Sequence, residues 1–146
     1  MPCSAKKSAF IGSNLAAAQQ VASQLNVPVA NILGLSAEET RYGTSSVAMN
    51  ANNFFGIHSG APGSIGTYTT SGGAGVSMFP ASTGFLSSAQ SFAINFGSLV
   101  NGVSDPTAFA QALVPNFNSA NAATGGNPNF VNLVVGTIAG VSACGY

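Results

Sequence analysis

Residues 28–42 read PVANILGLSAEETRY, and this stretch decides how we interpret the whole chain. Apolar residues recur at helical spacing, Pro28 suits a first helical turn and Gly43 suits a stop, so the stretch predicts a helix. On a helical wheel with Ile32 at zero and about 100° per residue, Glu39 falls at about −20°, in the middle of the apolar stripe. The predicted helix therefore points one carboxyl group inward.

An inward carboxyl group is costly to ionise, because burial favours the neutral form and raises the pKa. A protonated carboxyl group is what a general acid needs in order to donate a proton to a leaving oxygen. Glu39 is therefore our candidate catalytic acid. Its position in the helix alone leaves a second interpretation open, in which Glu39 lies at a frayed helix end in water.

The other two acidic residues have ordinary explanations. Glu38 lies at about −120° on the same wheel, off the apolar stripe, and we expect it to be solvated, with a weak exposed pair to Arg41. Asp105 stands in the sequence Ser104-Asp105-Pro106, which predicts a helix start with Asp105 as the N-cap. Neither residue is a first choice for catalysis.

Charge is sparse along the chain: 4% of its 146 residues are Asp, Glu, Lys or Arg, and the net charge is zero. A nucleic-acid-binding surface needs clustered basic residues, so this class is excluded. A surface built from Ser, Thr, Asn and Gln suits neutral, hydroxyl-rich ligands such as sugars. No apolar run approaches the ~20 residues of a membrane span, and the polar residues 1–10 do not predict a conventional signal peptide.

The two cysteines, Cys3 and Cys144, stand near opposite ends of the chain. Because the termini of a domain often lie close together, we hypothesise that they form a disulfide. Such a bond would add roughly 5 kcal/mol in the chain-entropy model and would indicate an oxidising compartment. Two unrelated thiols are the alternative. Two cysteines and one histidine do not make a metal site.

The rest of the sequence predicts one mostly helical α+β domain over residues 1–146. Further helices are predicted at 14–25 and 86–100 and from Asp105-Pro106 and Asn127-Pro128, with a loop at 116–126. The glycine-rich segment at about 56–80 predicts an irregular β-lobe with hairpin strands at 65–70 and 74–79. A groove between the helices and this lobe would suit a polymer.

His58 is the only histidine. Its unperturbed pKa suits a general base, whereas a lone histidine beside a β-lobe also suits a structural role. A serine hydrolase would need a nucleophile elbow such as G-x-S-x-G, and a phosphate-binding loop would need a lysine. The glycine-rich segments at 60–64 and 72–75 match neither motif.

Two blocks of sequence resemble glycoside hydrolase family 73, whose members are peptidoglycan N-acetylglucosaminidases of autolysins, flagellar hydrolases and phage lysins. ETRYGTS at residues 39–45 is similar to the family's Glu-Ser/Thr-Gly-Trp-Gly at a helix end. NNFFGI at 52–57 is similar to Asn-Asn-Leu-Phe-Gly-Ile, about ten residues further on. A weaker third block, GNPNF at 126–130, is similar to Asp-Pro-Asn-Tyr before the last helix. The resemblance spans roughly residues 28–141.

The resemblance implies a lysozyme-like fold, cleavage of the β-1,4 bond after N-acetylglucosamine in peptidoglycan, and no metal or organic cofactor. It places the family's catalytic acid on Glu39, which the helical wheel also selects. Tyr42 stands where the family has an aromatic residue lining the groove, and packing of the helix end is its alternative role. The predicted substrate contacts are Tyr42, Asn53, Phe55, Gly56, His58 and Tyr68, with core packing as the alternative for the phenylalanines.

Three departures from the family pattern stand out. Arg41 replaces a glycine, and the β-lobe carries no acidic residue. The tyrosine expected before the last helix is missing, and Tyr68 or Phe117 would have to substitute for it. Most glycosidases use two carboxylates. Because Glu38 and Asp105 have ordinary explanations, we hypothesise that Glu39 is the single catalytic carboxylate here. The second role would fall to a water held by Asn or Tyr, or to the substrate's own N-acetyl oxygen.

The chain is similar in size and style to toxic effectors moved by a type VI-like secretion machine, and phage delivery is the alternative. We therefore expect a monomer that reaches the periplasm or cell wall of a target bacterium without a conventional signal peptide. The producing cell would then need a cognate immunity protein that plugs the groove. The alternatives are a muramidase or lytic transglycosylase with the same acid, or a non-catalytic wall-binding module.

Overall fold

The computed structural model of the chain describes residues 3–118 and 127–146. It confirms a mostly helical α+β architecture with one small antiparallel sheet. In chain order the elements are α1 (Ala5–Leu25), α2 (Val29–Thr40), α3 (Ser46–Ala51), β1 (Gly66–Thr69), β2 (Gly75–Met78), a 3-10 turn (Ala81–Thr83), α4 (Gly84–Val100), α5 (Pro106–Leu113), a π-helical turn (Val114–Asn118) and α6 (Phe130–Ser142).

Helix α2 is the centre of the molecule. Every residue from 30 to 37 is buried, so the helix is covered on all faces and packs against both α1 and α6. The contact with α6 is close at Gly34, where an added Cβ would lie 2.7 Å from the Cα of Ile138. This burial along α2 is what carries the Glu39 end of the helix into the protein.

Helix α1 begins nine residues before the predicted start at Asn14. Ser4 is its N-cap, and the Ser4 hydroxyl accepts a hydrogen bond from the backbone N–H of Lys7 at 3.2 Å. Phe10 and Ile11 are buried in the core, and this packing outweighs the weak helix preference of the glycine and serine that follow them. The prediction of a start near Asn14 was therefore wrong.

The β-hairpin is confirmed. Strands β1 and β2 pair antiparallel, with Gly66 opposite Met78 and Thr69 opposite Gly75. Gly73, in the turn between the strands, has a φ of +87°, a left-handed value that favours glycine. The turn between the strands thus accounts for the glycine at position 73.

The later helices follow their predicted starts in part. Asp105 is the N-cap of α5, and its carboxylate accepts a hydrogen bond from the N–H of Ala108 at 2.9 Å, as predicted. Helix α6 begins at Phe130, three residues after Asn127. The predicted loop at 116–126 lies largely outside the described residues, and its first part belongs to the π-helical turn, where Phe117 is buried.

A disulfide joins Cys3 to Cys144, as hypothesised, and ties the start of α1 to the end of α6. The described cysteines include no free thiol. Among the helices of residues 3–118 and 127–146, none combines the length and apolar character needed to cross a membrane.

Candidate active site

Glu39 lies in the last turn of α2, with its side chain only partly exposed. Burial, and after it the negative charge of Glu38, raises the pKa of Glu39 to about 8. The described residues offer its carboxyl group no hydrogen-bond partner. A carboxyl group that is protonated at neutral pH, partly open to solvent and not engaged within the protein has the properties of a general acid.

The chain turns sharply directly after Glu39. Thr40 is buried, and its hydroxyl donates to the carbonyl of Ser36 at 2.7 Å and accepts from the N–H of Gly43 at 2.9 Å. Arg41, Tyr42 and Gly43 all have left-handed φ values, +50°, +58° and +78°. The threonine after the acid therefore clamps the helix end to the turn, which holds the backbone of Glu39 in place.

The two sequence blocks meet at α2. The hydroxyl of Ser36, one turn before Glu39, donates to the carbonyl of Phe54 at 2.7 Å. A Cβ added at Gly43 would lie 3.5 Å from the ring of Phe54. The hydrogen bond from Ser36 therefore anchors the second block to α2, and the ring of Phe54 lies near Gly43 just beyond the helix end.

Asn53 is a structural centre of the β-lobe. It is fully buried, and its amide donates to the carbonyls of Ile57 and Ser77, each at 2.9 Å. Its amide oxygen accepts from the N–H groups of Phe55 and Ile57 at 3.2 and 3.1 Å. The predicted substrate contact is therefore corrected: with both ends of the amide engaged below the surface, Asn53 holds the lobe in shape.

Phe55 is also corrected from a predicted substrate contact to a core residue. It is fully buried and stacks on Phe92 with ring centroids 5.3 Å apart. Phe117, considered as a substitute for the family's tyrosine, is equally buried and makes edge contacts with Phe92 and Phe96. Gly56 has a φ of +63° and shapes the turn between these rings and the lobe.

Tyr42 packs on the α1 side of the helix end. Its ring meets Phe10 edge-on at 5.6 Å between centroids, and the Nζ of Lys7 lies 5.9 Å from the ring centroid. Burial and then the charge of Glu38 raise the pKa of its hydroxyl. The structure thus gives Tyr42 a packing role, and stacking on a sugar stays a prediction.

His58 and Tyr68 lie on the β-lobe. His58 is exposed, bridges Val76 through its backbone, and lines an open cleft of about 420 Å³. The other lining residues of this His58 cleft are Ile57, Ser59, Gly60, Ala61, Asn95 and Phe96. Tyr68 lies on β1, opposite Val76 of β2, and its hydroxyl accepts a hydrogen bond from the side-chain amide of Asn50 at 3.4 Å. Substrate binding by both residues stays a prediction.

Neither of the other acids is placed as a second catalytic carboxylate. Glu38 is half-buried rather than solvated, and it accepts a hydrogen bond from the hydroxyl of Thr137 at 2.8 Å, where we had expected a pair with Arg41. Asp105 is occupied as the N-cap of α5. The carbonyl of its neighbour Ser104 accepts a hydrogen bond from the side-chain amide of Asn31 at 3.1 Å. Asn31 lies eight residues before Glu39, about 12 Å along the helix axis, so this contact belongs to the other end of α2.

Sequence reasoning missed the side chains that support the acid. The hydroxyl of Thr40 binds the helix end, and the hydroxyl of Ser36 binds the second sequence block. The hydroxyl of Thr137 binds Glu38. Thr40 alone had a sequence signal, because the family has Ser or Thr at this position. The described residues contain no group of three or more His, Cys, Asp or Glu side chains that could hold a metal ion.

Fold and site together define a lysozyme-like glycoside hydrolase. Residues 15–140 match the glucosaminidase family model, described as mannosyl-glycoprotein endo-beta-N-acetylglucosaminidase. The chain therefore belongs to the glucosaminidase family, the glycoside hydrolase family 73 domain that its two sequence blocks predict. No curated protein matches the chain.

Among solved structures, the chain is similar to a type VI secretion system effector–immunity complex from Pseudomonas protegens, with 38% identity, a TM-score of 0.83, and 99% and 98% of the two chains covered. A peptidoglycan hydrolase mutant from Sphingomonas sp. A1 shares 24% identity, with a TM-score of 0.67 and coverage of 92% and 94%. The glycoside hydrolase domain of FlgJ from Salmonella typhimurium shares 21%, with a TM-score of 0.63 and coverage of 93% and 88%. The last two show the fold alone.

Proposed function

We propose that this chain hydrolyses the glycan strands of peptidoglycan at the β-1,4 bond after N-acetylglucosamine, with Glu39 as the general acid. The observation that carries the proposal is the state of Glu39. Of the three acidic residues, Glu38 is bound to Thr137 and Asp105 caps α5, whereas Glu39 is unengaged among the described residues and protonated at neutral pH.

The chemistry follows from this single acid. Glu39 donates its proton to the glycosidic oxygen as the bond between this oxygen and C1 breaks, which leaves positive charge on the sugar. Either a bound water attacks C1 directly, or the sugar's own N-acetyl oxygen does so first and water then opens the ring that forms. On both routes the attacking water gives up one proton to solvent, and the Glu39 carboxylate takes a proton back for the next cycle. The sparse charge of the chain, 4% of its residues, suits a neutral sugar polymer.

The test is digestion of peptidoglycan sacculi by the wild type, Glu39→Gln and Asp105→Asn, with mass spectrometry of the soluble products. Asp105→Asn is the matched control, because asparagine removes the carboxylate and keeps a good N-cap. We expect fragments with reducing N-acetylglucosamine ends from the wild type and Asp105→Asn, and a loss of at least about 100-fold in rate for Glu39→Gln.

Other products would lead to other conclusions. Reducing N-acetylmuramic acid ends would indicate a muramidase, and anhydro ends a lytic transglycosylase. Binding to sacculi without release of sugar, by wild-type protein shown to be folded, would indicate a wall-binding module and contradict the proposal. The anomeric form of freshly released product separates direct attack by water, which inverts the configuration, from participation of the N-acetyl group, which retains it.

We also propose that the chain is an antibacterial effector with a cognate immunity protein that covers the groove predicted between the helices and the β-lobe. The support is the 38% identity to the effector–immunity structure from Pseudomonas protegens over nearly the whole of both chains. Expression with and without a periplasmic export signal in a Gram-negative host tests the target compartment. We expect lysis only on export, absent for Glu39→Gln. Equal growth of the exporting and control cells would overturn the effector proposal.

A further inference from the structure

The disulfide between Cys3 and Cys144 lies beyond the buried parts of both helices that it joins. On α1 the first buried residue is Phe10, and residues 3–9 are exposed or half-buried. On α6 the last buried residue is Val141, and the positions that follow it are exposed or half-buried. Helix ends without buried side chains open readily, so the disulfide restrains both of these ends.

Helices α1 and α6 are otherwise held together through α2. Each of them packs extensively on α2, whereas the two helices share no extensive contact of their own. They approach each other near the disulfide, where a Cβ added at Gly140 of α6 would lie 3.1 Å from the Nζ of Lys7 of α1. Breaking the disulfide therefore leaves the first turns of α1 free to separate from the end of α6.

Tyr42, in the turn that follows Glu39, lies where these two helix ends meet. The Nζ of Lys7 lies 5.9 Å from the centroid of its ring, and a Cβ added at Gly140 would lie 3.6 Å from its hydroxyl oxygen. The backbone N–H of Tyr42 donates to the carbonyl of Ala37, two residues before the proposed acid, at 2.9 Å. A displacement of Tyr42 would therefore act on the last turn of α2, which carries Glu39.

We propose that this disulfide is a redox switch of the hydrolase, which fixes the turn at Tyr42 when it is formed and loosens the turn when it is reduced. The inference rests on the proposed function for its catalytic meaning. In the reduced chain residues 3–9 open, Lys7 leaves the ring of Tyr42, and the turn after Glu39 loses support from α1. Phe10 stays in the core, so the reduced chain remains folded. A chain made in a reducing compartment then reaches full activity only after oxidation.

The switch needs only thiol–disulfide exchange. A dithiol reductant passes two electrons and two protons to the protein disulfide, so that the S–S bond breaks and two cysteine thiols and the oxidised, cyclic reductant result. In the reverse step a disulfide oxidant takes the two electrons and two protons and becomes a dithiol. Cys3 and Cys144 are only half-buried, and their neighbours Ser4 and Ala143 are exposed, so these reagents can reach the bond.

The first test compares sacculus hydrolysis by oxidised protein and by protein reduced with dithiothreitol, both examined for folding by circular dichroism at the assay temperature. We expect the reduced protein to be about 5- to 20-fold slower, because small displacements near a catalytic group are costly. Reoxidation should restore the rate. Equal rates of the two folded proteins would overturn the inference.

The Cys3→Ser/Cys144→Ser variant is the matched control. It should show the low rate of the reduced wild type, with and without dithiothreitol, because it has no bond to reduce. A reduced chain that is unfolded at the assay temperature would also overturn the inference, since the bond would then hold the whole fold and not the turn.

Fluorine NMR of fluorotyrosine-labelled protein gives a readout that needs no substrate. The chain has three tyrosines, and single replacements by phenylalanine assign their signals. Tyr68 lies on β1 of the β-lobe and serves as an internal control. We expect reduction to shift or broaden the signal of Tyr42 and to leave that of Tyr68 unchanged, and a Tyr42 signal that does not respond to reduction would contradict the switch.

The variant Lys7→Gln tests the route from the disulfide to Tyr42 in oxidised protein. Lys6→Gln is its matched control, because Lys6 is exposed in the same turn of α1. We expect Lys7→Gln to perturb the Tyr42 signal and to lower the rate in part, and Lys6→Gln to do neither. Reduction should then slow Lys7→Gln by a smaller factor than it slows the wild type. An oxidised Lys7→Gln protein with the Tyr42 signal and the rate of the wild type would overturn this route.

The two kinds of readout separate this inference from the proposed function. If oxidised protein releases no sugar from sacculi, the proposed function fails. The fluorine signal of Tyr42 in oxidised and reduced protein still decides whether the disulfide fixes the turn.

Discussion

At the residue scale, Glu39 makes stability depend on pH. Its ordinary pKa is 4.5 and its folded value is about 8, so between these values the unfolded chain has released a proton that the folded protein keeps. The unfolded state binds fewer protons there, so the free energy of unfolding falls as the pH rises. The contribution is complete below about pH 4.5 and is lost as the pH passes about 8.

We therefore predict that wild-type protein loses stability relative to Glu39→Gln between pH 5 and pH 8. The upper limit is ~1.4 kcal/mol per pH unit, and the observed slope should be lower because the carboxyl group is partly exposed. Urea unfolding of both proteins at four pH values measures the difference. Parallel stability curves for the two proteins would contradict a raised pKa, and Asp105→Asn, which keeps Glu39, should follow the wild type.

Arg41 also belongs to the residue scale. Its φ of +50° lies in the left-handed region, where a side chain costs energy that glycine avoids. This conformation explains why the family pattern has a glycine at the corresponding position. The hydrogen bonds of Thr40 to Ser36 and Gly43 hold the turn in spite of the arginine.

At the element scale, the crossing of α2 and α6 depends on Gly34. A Cβ at this position would lie 2.7 Å from the Cα of Ile138 and 3.0 Å from its backbone nitrogen, so the helices would have to separate. We predict that Gly34→Ala destabilises the fold by about 1–3 kcal/mol, because backbone atoms cannot move aside as a flexible side chain would. The displacement would also withdraw Thr137 from Glu38.

Gly136→Ala is the matched control for this prediction. Gly136 lies in α6, and an added Cβ there meets nothing within 4 Å, so alanine should stabilise the helix by up to about 1 kcal/mol. Thermal unfolding of both variants gives the comparison. Equal effects of the two substitutions would show that helix preference, and not the close crossing, decides the outcome at Gly34.

At the scale of the whole molecule, the bond between Cys3 and Cys144 closes a loop across 141 positions. We predict that the Cys3→Ser/Cys144→Ser variant loses up to about 5 kcal/mol of unfolding free energy, because the unfolded chain regains its freedom. Wild-type protein unfolded under reducing conditions should match the variant. A variant as stable as the oxidised wild type would show that packing of α1 and of α6 on α2 suffices to hold the ends.

The sequence predicted the local features well, for reasons that can be named. The Asp105 cap and the hairpin at 65–79 depend on spacing and turn chemistry within a few residues. The apolar stripe predicted for α2 does not single out one face, because every residue from 30 to 37 is buried. The start of α1 was missed because Phe10 and Ile11 pack in the core against residues distant in sequence. The free energy of this packing outweighs the weak helix preference of the glycine and serine that follow them. Asn53 and Phe55 were predicted to contact the substrate because they belong to the second family block. A sequence motif does not show whether a side chain faces the surface or the core.

The sequence alone was enough to predict the family and to propose Glu39 as the acid, because a motif can be recognised from consecutive residues. Tertiary structure alone decided what surrounds that acid. Thr137 stands 99 positions from Glu38 and reaches it only because Gly34 lets two helices touch. Contacts between distant segments leave no local pattern in the sequence, so the burial that raises the pKa of Glu39 could be seen only in the folded chain.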